Sequence, residues 1–323
     1  MRKGVAILIV LFLLLAGAWL WAESRAAGAL RDLAADHAGL SLSDAQPLRN
    51  PARLGVRVTD AAMVDRGQGI GADWAELWLS PASPLTARLQ LSDNAWVYTG
   101  SEVLNLRLRD AHGALSLSPL NRMALSHLAV HSGPVTVNDA PFLASLDATL
   151  DLTSLRHDAP RLAGAAYLAT VQVGQVQPLG QIEPISADGT LRLWLDRAIH
   201  PGDNDAPILH GVQTDGVTVS LGDMTARILG RVERQPDNMA QGQIAAYSSD
   251  SAALIDYLAQ IGVLPDQARL LARVAVTRFS DAPDMGAVLP EPQGDETRLV
   301  ITMRNGQVLL GNVPIGPAPR FPD

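Results

Sequence analysis

The sequence has no cysteine among its 323 residues, and only 4% of the residues are aromatic. Without cysteine the chain forms no disulfide bond, so its stability depends on the burial of apolar side chains. The scarcity of aromatic residues disfavours a carbohydrate-stacking site or a large aromatic-lined pocket. The length allows one large domain or two ordinary ones, with enough chain to bury a substantial apolar core.

Positive charge is also scarce, because 25 basic residues stand against 33 acidic ones, for a formal net charge of −8. Two of the basic residues, Arg2 and Lys3, precede an apolar N-terminal segment, and removing them takes the net charge of the remainder from −8 to −10. An acidic chain repels phosphate backbones and anionic lipid surfaces. The charge therefore argues against nucleic acid as a partner and against electrostatic binding to an anionic membrane.

Motifs for catalysis are missing as well. The sequence contains no G-x-S-x-G nucleophile elbow, no phosphate-binding loop, no H-E-x-x-H zinc motif and no cysteine nucleophile. Its acidic residues are dispersed, so no carboxylate pair is evident. The sequence indicates no catalytic residue and no cofactor, and it favours a non-enzymatic role.

The most informative feature that is present is the apolar segment Gly4–Ala22. A helix needs about 20 apolar residues to cross the hydrocarbon core of a bilayer, and Arg2 and Lys3 favour a cytoplasmic N-terminus. We predict that Val5–Trp21 spans the inner membrane once and that the chain from Glu23 onward lies in the periplasm.

A cleaved signal peptide is the alternative interpretation of this segment. Ala16-Gly17-Ala18 resembles a cleavage site after a short apolar stretch, Val5–Leu15. Apolar character nevertheless continues through Trp19 and Trp21, and tryptophan is typical of the membrane–water interface. We therefore favour an uncleaved anchor, and both interpretations place the rest of the chain outside the cytoplasm.

Beyond this anchor, assigned to residues 1–22, the period of the apolar residues changes. Residues 23–39 carry a helical stripe of small apolar residues, which predicts a stalk helix that stands free or packs on the domain. Over residues 40–155 apolar and polar residues alternate, as in Leu54–Val58 and Leu104–Leu108, and turn residues interrupt them. This pattern is typical of antiparallel hairpins.

A second β region is predicted over residues 156–323. Its strand patterns begin at Tyr167–Val176, Asp188-Gly189 predicts a turn, and Asn305-Gly306 predicts a type I′ hairpin near the C-terminus. Helical spacing over residues 251–274 predicts two helices. The predicted fold class is mainly β (α+β), with antiparallel sheets of hairpins, an N-terminal transmembrane helix and a late helical pair.

His127 and His131 are the first candidates for a metal site. They lie four residues apart, a spacing that brings two ligands to one face of a helix. Here the neighbouring residues alternate as in a strand, which also places both histidines on one face, but the sequence identifies no third ligand. An ordinary strand is the favoured interpretation, with a metal site as the alternative.

Two loops suggest other ligands. The loop His200–Asp205 contains Asp203 and Asp205 as candidate calcium ligands, but a calcium loop needs more ligands and a distal carboxylate, so a solvated turn is favoured. Gly67-Gln68-Gly69-Ile70-Gly71 resembles part of a dinucleotide-binding loop, but no helix follows at the required spacing. We interpret it as a flexible hairpin connection.

The order of several short motifs resembles a known family. After the predicted anchor and stalk come Asn50–Asp60 (NPARLGVRVTD), the tryptophan segment Ala72–Glu76 (ADWAE), Gly189–Leu193 (GTLRL) and a closing hairpin from Asn305-Gly306 to Pro314. In this order they are similar to domain-of-unknown-function family 2125, exported bacterial envelope proteins of the alphaproteobacterial type. The resemblance implies an envelope β protein and supplies no catalytic residues.

Two functional hypotheses follow. In the first, the chain is a non-enzymatic envelope protein whose membrane-anchored periplasmic β domain binds an apolar or lipidic ligand, or a partner protein. In the second, it is a periplasmic hydrolase with a dispersed active site that includes His127, His131 and Asp203. An exposed apolar surface would favour the first hypothesis, and a cleft shared by the three residues would favour the second.

Overall fold

The computed structural model describes residues 21–37, 39–65, 67–177, 183–203, 205–260, 289–310 and 313–322. The predicted membrane span as far as residue 20 lies outside this part of the chain, as do Asn204 and the second predicted helix, within residues 261–274. Among the described residues, no helix is both long enough and apolar enough to cross a membrane.

The described residues form two α-helices and twenty β-strands, so the chain is mainly β, as the alternating sequence pattern predicts. Helix α1 covers residues 21–36 and helix α2 covers Ser251–Gln260. The strands are β1 (Leu40–Ser41), β2 (Asp44–Pro47), β3 (Leu54–Asp65), β4 (Gln68–Ser80), β5 (Ser83–Leu91), β6 (Asn94–Tyr98), β7 (Val103–Leu108), β8 (His112–Ser118), β9 (Ala124–Ser132), β10 (Val135–Val137), β11 (Ala140–Leu143), β12 (Leu146–Thr153), β13 (Ala165–Val176), β14 (Ile185–Leu195), β15 (Leu209–Leu221), β16 (Met224–Arg234), β17 (Ala240–Ser248), β18 (Thr297–Arg304), β19 (Gln307–Leu310) and β20 (Val313–Pro317).

The chain folds into two compact units. The first unit contains the chain as far as Ser118 together with Leu128–Ser145. The second unit contains Pro119–His127 together with the chain from Leu146 onward. The polypeptide therefore contributes the short segment Pro119–His127 to the second unit and then returns to the first. From Leu146 onward it belongs to the second unit only.

The sheet of the first unit branches at strand β4. Along one edge, β4 pairs with β3 over its full length, with Leu54 opposite Leu79 and Asp65 opposite Gln68. Along its other edge, the first half of β4 pairs with β6 and the second half pairs with β5. One branch continues from β6 through β7 and β10 to β11, and the other continues from β5 to β8. All of these pairings are antiparallel, and β1 and β2 pair with the other edge of β3.

Helix α1 packs on β3 rather than standing free as a stalk. Its residue Ala27 is buried against Val56. The Glu23 carboxylate is also buried, and it accepts hydrogen bonds from the backbone N–H groups of Arg49 (3.1 Å) and Gly55 (3.4 Å). Of the two arrangements that the sequence allows for this helix, packing on the domain is the one observed.

The second unit contains an antiparallel meander from β12 to β20, in which each strand pairs with the next. The turn at Asn305-Gly306 has φ angles of 54° and 74°, so the predicted type I′ hairpin is confirmed. Helix α2 follows β17. The Asp250 carboxylate caps its N-terminus by accepting a hydrogen bond from the Ala253 N–H at 2.9 Å. Leu254 and Ile255 are buried against the sheet.

A buried tyrosine ties the Pro119–His127 segment to the rest of the second unit. The Tyr167 hydroxyl donates a hydrogen bond to the Leu125 carbonyl oxygen (2.9 Å) and accepts one from the Ile199 N–H (3.0 Å). The side chain is fully buried, and this burial raises the pKa of Tyr167 above its usual value. A neutral phenol therefore satisfies two backbone groups from different segments.

The turn predicted at Asp188-Gly189 is wrong, because both residues lie inside β14. Gly189 is opposite Val217 of β15, next to a shift in the register of the two strands. A Cβ atom on Gly189 would lie 2.6 Å from the Gly216 carbonyl oxygen and 2.6 Å from the Val217 Cα atom. The glycine thus permits a close approach of two strands at a bulge, where the sequence pattern looks the same as at a turn.

Replacing Tyr167 with phenylalanine removes the hydroxyl and leaves two buried backbone groups without a partner. We expect the free energy of unfolding of the second unit to fall by about 1–3 kcal/mol, measured by urea denaturation. Burial raises the pKa of the phenol in the folded state. The difference in unfolding free energy between the wild type and Tyr167→Phe should therefore be full below about pH 10 and should shrink as the pH rises further.

Tyr98→Phe is the matched control, since the Tyr98 hydroxyl donates its hydrogen bond to the Gly100 carbonyl oxygen in an exposed turn. This variant should change the stability by less than about 0.5 kcal/mol. Equal losses at Tyr167 and Tyr98 would contradict the role assigned to Tyr167.

Candidate functional site

The candidate site is an apolar groove on the sheet of the first unit. It is built on two rows of residues that lie opposite one another across β3, β4, β6 and β7. The first row consists of Ala61, Ala72, Ala95 and Leu106, and the second row consists of Met63, Ile70 and Val97. Side chains two positions apart on a strand share one face of the sheet. Three alanines therefore form a low floor beside a wall of larger side chains.

The groove has the size and chemistry of a site for a small apolar ligand. Its volume is about 320 Å³, within the range of about 300–1,000 Å³ usual for ligand pockets. Met63 and Ile70 at its rim are 56% and 53% exposed. Among the described lining residues, Trp96 is the only one whose side chain carries a polar atom. The site therefore offers almost no hydrogen-bonding group and no charge.

Two glycines of β4 make room for the indole ring of Trp96. Gly71 is directly opposite Trp96 on β6, and a Cβ atom on Gly71 would lie 2.4 Å from the ring. A Cβ atom on Gly69 would lie 3.4 Å from the same ring. The Gly67–Gly71 sequence therefore forms the β3–β4 turn only at Gly67, and its other two glycines make room for Trp96 on the face of the sheet opposite Ala72 and Ala95.

The tryptophan segment belongs to a ladder of charged and aromatic side chains farther along β4. Arg57 on β3 is opposite Glu76 on β4, with 3.3 Å between Arg57 Nη1 and Glu76 Oε1. The same guanidinium lies over the Trp74 ring, 4.4 Å from its centre, and Arg53 lies over the Trp78 ring at 4.7 Å. The charged groups on this stretch thus partner each other, and we assign the segment a structural role.

The two histidines that the sequence singles out have different partners. His127 belongs to the second unit, and its Nδ1 lies 2.6 Å from Asp151 Oδ1. His131 belongs to the first unit, where its ring centre lies 4.7 Å from that of His112 and its Nε2 lies 3.8 Å from Asp110 Oδ2. The structure therefore groups His131 with Asp110 and His112, and His127 is not part of this group.

The loop that contains Asp203 and Asp205 is organised by an arginine. Arg197 Nε lies 3.5 Å from Asp203 Oδ2, and Arg197 Nη2 donates a hydrogen bond to the Asp205 carbonyl oxygen at 2.8 Å. The guanidinium supplies the positive charge that a calcium ion would otherwise supply. This arrangement agrees with a solvated turn.

Sequence reasoning does not find the groove. Its floor requires Ala95 on β6 to lie beside Ala72 on β4, and the short strand Asn94–Tyr98 gives no alternating signal strong enough to place it. The one available signal is the pair Gly69 and Gly71 inside an otherwise regular strand, which marks the close approach of a bulky neighbour.

Replacing Gly71 with alanine should force the Trp96 ring away from β4. We expect a loss of about 1–3 kcal/mol in the unfolding free energy of the first unit, as for other overpacked sites, together with a shift in tryptophan fluorescence. Gly28→Ala in α1 is the control, because open space surrounds Gly28 and alanine favours a helix by up to about 1 kcal/mol. A Gly71→Ala protein as stable as the Gly28→Ala protein would refute the packing assigned to Trp96.

Comparison with known proteins identifies a family. A family model described as an uncharacterized protein conserved in bacteria (DUF2125) matches residues 19–319. Neither a curated protein nor a solved structure matches the chain. The match includes both units and all of the short motifs that carry the resemblance, from Asn50–Asp60 to the closing hairpin. The chain therefore belongs to the DUF2125 family of bacterial proteins.

Proposed function

We propose that this chain is a non-enzymatic, membrane-anchored envelope protein that binds the hydrocarbon chain of a lipid in the groove of its first unit. The observation that carries the proposal is an apolar lining that opens at an exposed apolar rim, Met63 and Ile70. Apolar surface in contact with water is unfavourable, and a contiguous exposed patch is typical of a binding site.

The chemistry of the lining favours a hydrocarbon chain over a polar ligand. Each methylene group that leaves water for the groove contributes about 0.8 kcal/mol. A polar group in the same place would lose its hydrogen bonds to water, and the floor and rim residues that face the groove carry no hydrogen-bonding side chain to replace them. The lipid headgroup therefore remains outside the groove, in solvent beyond the rim.

The proposed anchor supports a lipid as the ligand. The last two residues of the apolar segment Gly4–Ala22 belong to the described part of α1, and α1 is fixed to β3 by Ala27 and by the Glu23 hydrogen bonds. Only a few residues separate the proposed span of the inner membrane from the unit that carries the groove. A unit tethered to a bilayer in this way has lipid as its most abundant apolar ligand.

The hydrolase hypothesis has less support. His127, His131 and Asp203 have Asp151, Asp110 and Arg197 as their respective partners. A catalytic group must reach the atom that reacts, and these three pairings suggest no common reacting atom. We assign no catalytic role to them.

Photo-crosslinking in native membranes tests the groove. Cells that express the full-length protein are supplied with a fatty acid carrying a diazirine in its chain, and labelled peptides are identified by mass spectrometry after irradiation. We expect label on β3, β4 and β6. Ala95→Phe fills the floor of the groove and should reduce labelling about tenfold, which corresponds to about 1.4 kcal/mol of lost apolar contact.

Ala82→Phe provides the control, because Ala82 lies in the exposed turn between β4 and β5 and its replacement leaves the groove open. Wild-type label confined to peptides outside the groove, or equal labelling of the two variants, would contradict lipid binding at this site.

The proposed topology is tested by a reporter that is active only outside the cytoplasm, fused after Asp323. We expect an active reporter in the membrane fraction and an intact N-terminus by mass spectrometry, because Val5–Trp21 is long enough and apolar enough to remain in a bilayer. A soluble product that begins near Trp19 would instead establish a cleaved signal peptide. An inactive reporter would contradict export.

A further inference from the structure

We propose that Asp110, His112 and His131 of the first unit form a binding site for one divalent transition-metal ion of the zinc type. Each residue offers one ligand atom, and the three atoms lie within 4.8 Å of one another. This proposal is independent of the lipid groove and uses none of its lining residues.

Each histidine nitrogen lies near a different oxygen of the Asp110 carboxylate, at a separation close to that between two ligands of one metal ion. His112 Nδ1 lies 3.4 Å from Asp110 Oδ1, and His131 Nε2 lies 3.8 Å from Asp110 Oδ2. Ligand atoms that surround zinc tetrahedrally at about 2.0–2.1 Å lie about 3.3–3.4 Å apart. Because all three ligand atoms lie within 4.8 Å of one another, an ion between them would require the side chains to move inward by rotation, with one Asp110 oxygen serving both histidines.

The turn that carries two of the ligands is fixed by the backbone on both sides. The Gly133 N–H donates a hydrogen bond to the Arg109 carbonyl oxygen (2.8 Å), and the Leu91 N–H donates one to the Ala111 carbonyl oxygen (3.0 Å). Asp110, between them, has a φ of 53°, a conformation that is uncommon for a residue other than glycine. The turn thus holds the Asp110 carboxylate beside His112, two residues farther along.

The donor set selects the class of metal. Two imidazole nitrogens and one carboxylate oxygen suit zinc and its neighbours among the transition metals, whereas calcium and magnesium prefer oxygen ligands alone. The Asp110 side chain is 71% exposed, so water completes the coordination. With no cysteine in the chain, these imidazoles are its strongest available ligands for zinc.

The proton on His112 must be on the outer nitrogen for the ion to bind. His112 Nδ1 lies 2.9 Å from the Asp110 backbone carbonyl oxygen, and in the tautomer protonated at Nδ1 it donates a hydrogen bond there. The neutral tautomer protonated at Nε2 presents the Nδ1 lone pair to the metal.

The experiment is a zinc titration of the full-length protein, in detergent solution and without a histidine tag, against a chromophoric chelator of micromolar affinity. We expect one Zn²⁺ ion per chain and a rise in thermal stability on binding. His131→Gln and Asp110→Asn should each lower the zinc affinity at least tenfold, since even ligand-orienting groups contribute about 10–100-fold. Excess Ca²⁺ or Mg²⁺ should not displace the zinc.

His127→Gln is the matched control, because His127 also contacts an aspartate, Asp151, at 2.6 Å but is not part of the three-residue group. It should bind zinc as the wild type does. Urea denaturation without metal shows whether the ligand variants are folded, so that a loss of binding is not a loss of structure. The proposal is overturned if the wild type does not compete with the chelator, or if His131→Gln and Asp110→Asn bind zinc as tightly as His127→Gln.

Discussion

Strand β4 forms backbone hydrogen bonds with three other strands. The arrangement of these three strands along its two edges determines the topology of the sheet in the first unit. One edge of β4 belongs to β3 throughout, while the other edge is divided between β6 and β5. Backbone polar groups must be paired when they are buried, so a strand of thirteen residues needs a partner along all of both edges. Along the second edge, the two short strands β5 and β6 supply the hydrogen-bonding partners that one long strand would otherwise supply. The sheet branches at the point on β4 where β6 ends and β5 begins. The groove lies on the β6 side of this branch, where Ala72 and Ala95 are neighbours.

The residues along β4 change character on either side of the branch. Toward the β3–β4 turn they are small or apolar, and they form the floor and rim of the groove. Toward the other end, Trp74 and Glu76 contact Arg57 of β3, and Trp78 contacts Arg53, which precedes β3. The charged side chains are therefore matched with partners at one end, while exposed apolar surface remains at the other. The most exposed apolar side chain of β4, Ile70, therefore lies in the half of the strand that pairs with β6.

The sequence predicts the fold class and most strands, because one solvated face produces the period-two pattern directly. It also predicts the Asn305-Gly306 hairpin, whose two positive φ angles demand those residue types. The sequence wrongly predicts a turn at Asp188-Gly189. The glycine there allows a neighbouring strand to approach closely, and in the sequence this use of glycine cannot be told from a turn. The sequence misses β6, and with it the floor of the groove, because five residues carry too little periodicity. The grouping of His131 with Asp110 and His112 depends on contacts between segments, which spacing along one strand does not reveal.

The central claim is that a hydrocarbon chain lies on the alanine floor of the first unit. The most direct measurement is solution NMR of the full-length protein in lipid nanodiscs, with the alanine methyl groups labelled in an otherwise deuterated chain and with protonated lipid. The account predicts nuclear Overhauser contacts from acyl-chain protons to the methyl groups of Ala61, Ala72 and Ala95, and none to Ala82 in its exposed turn. Alanine methyl groups of the floor that contact only water would contradict it.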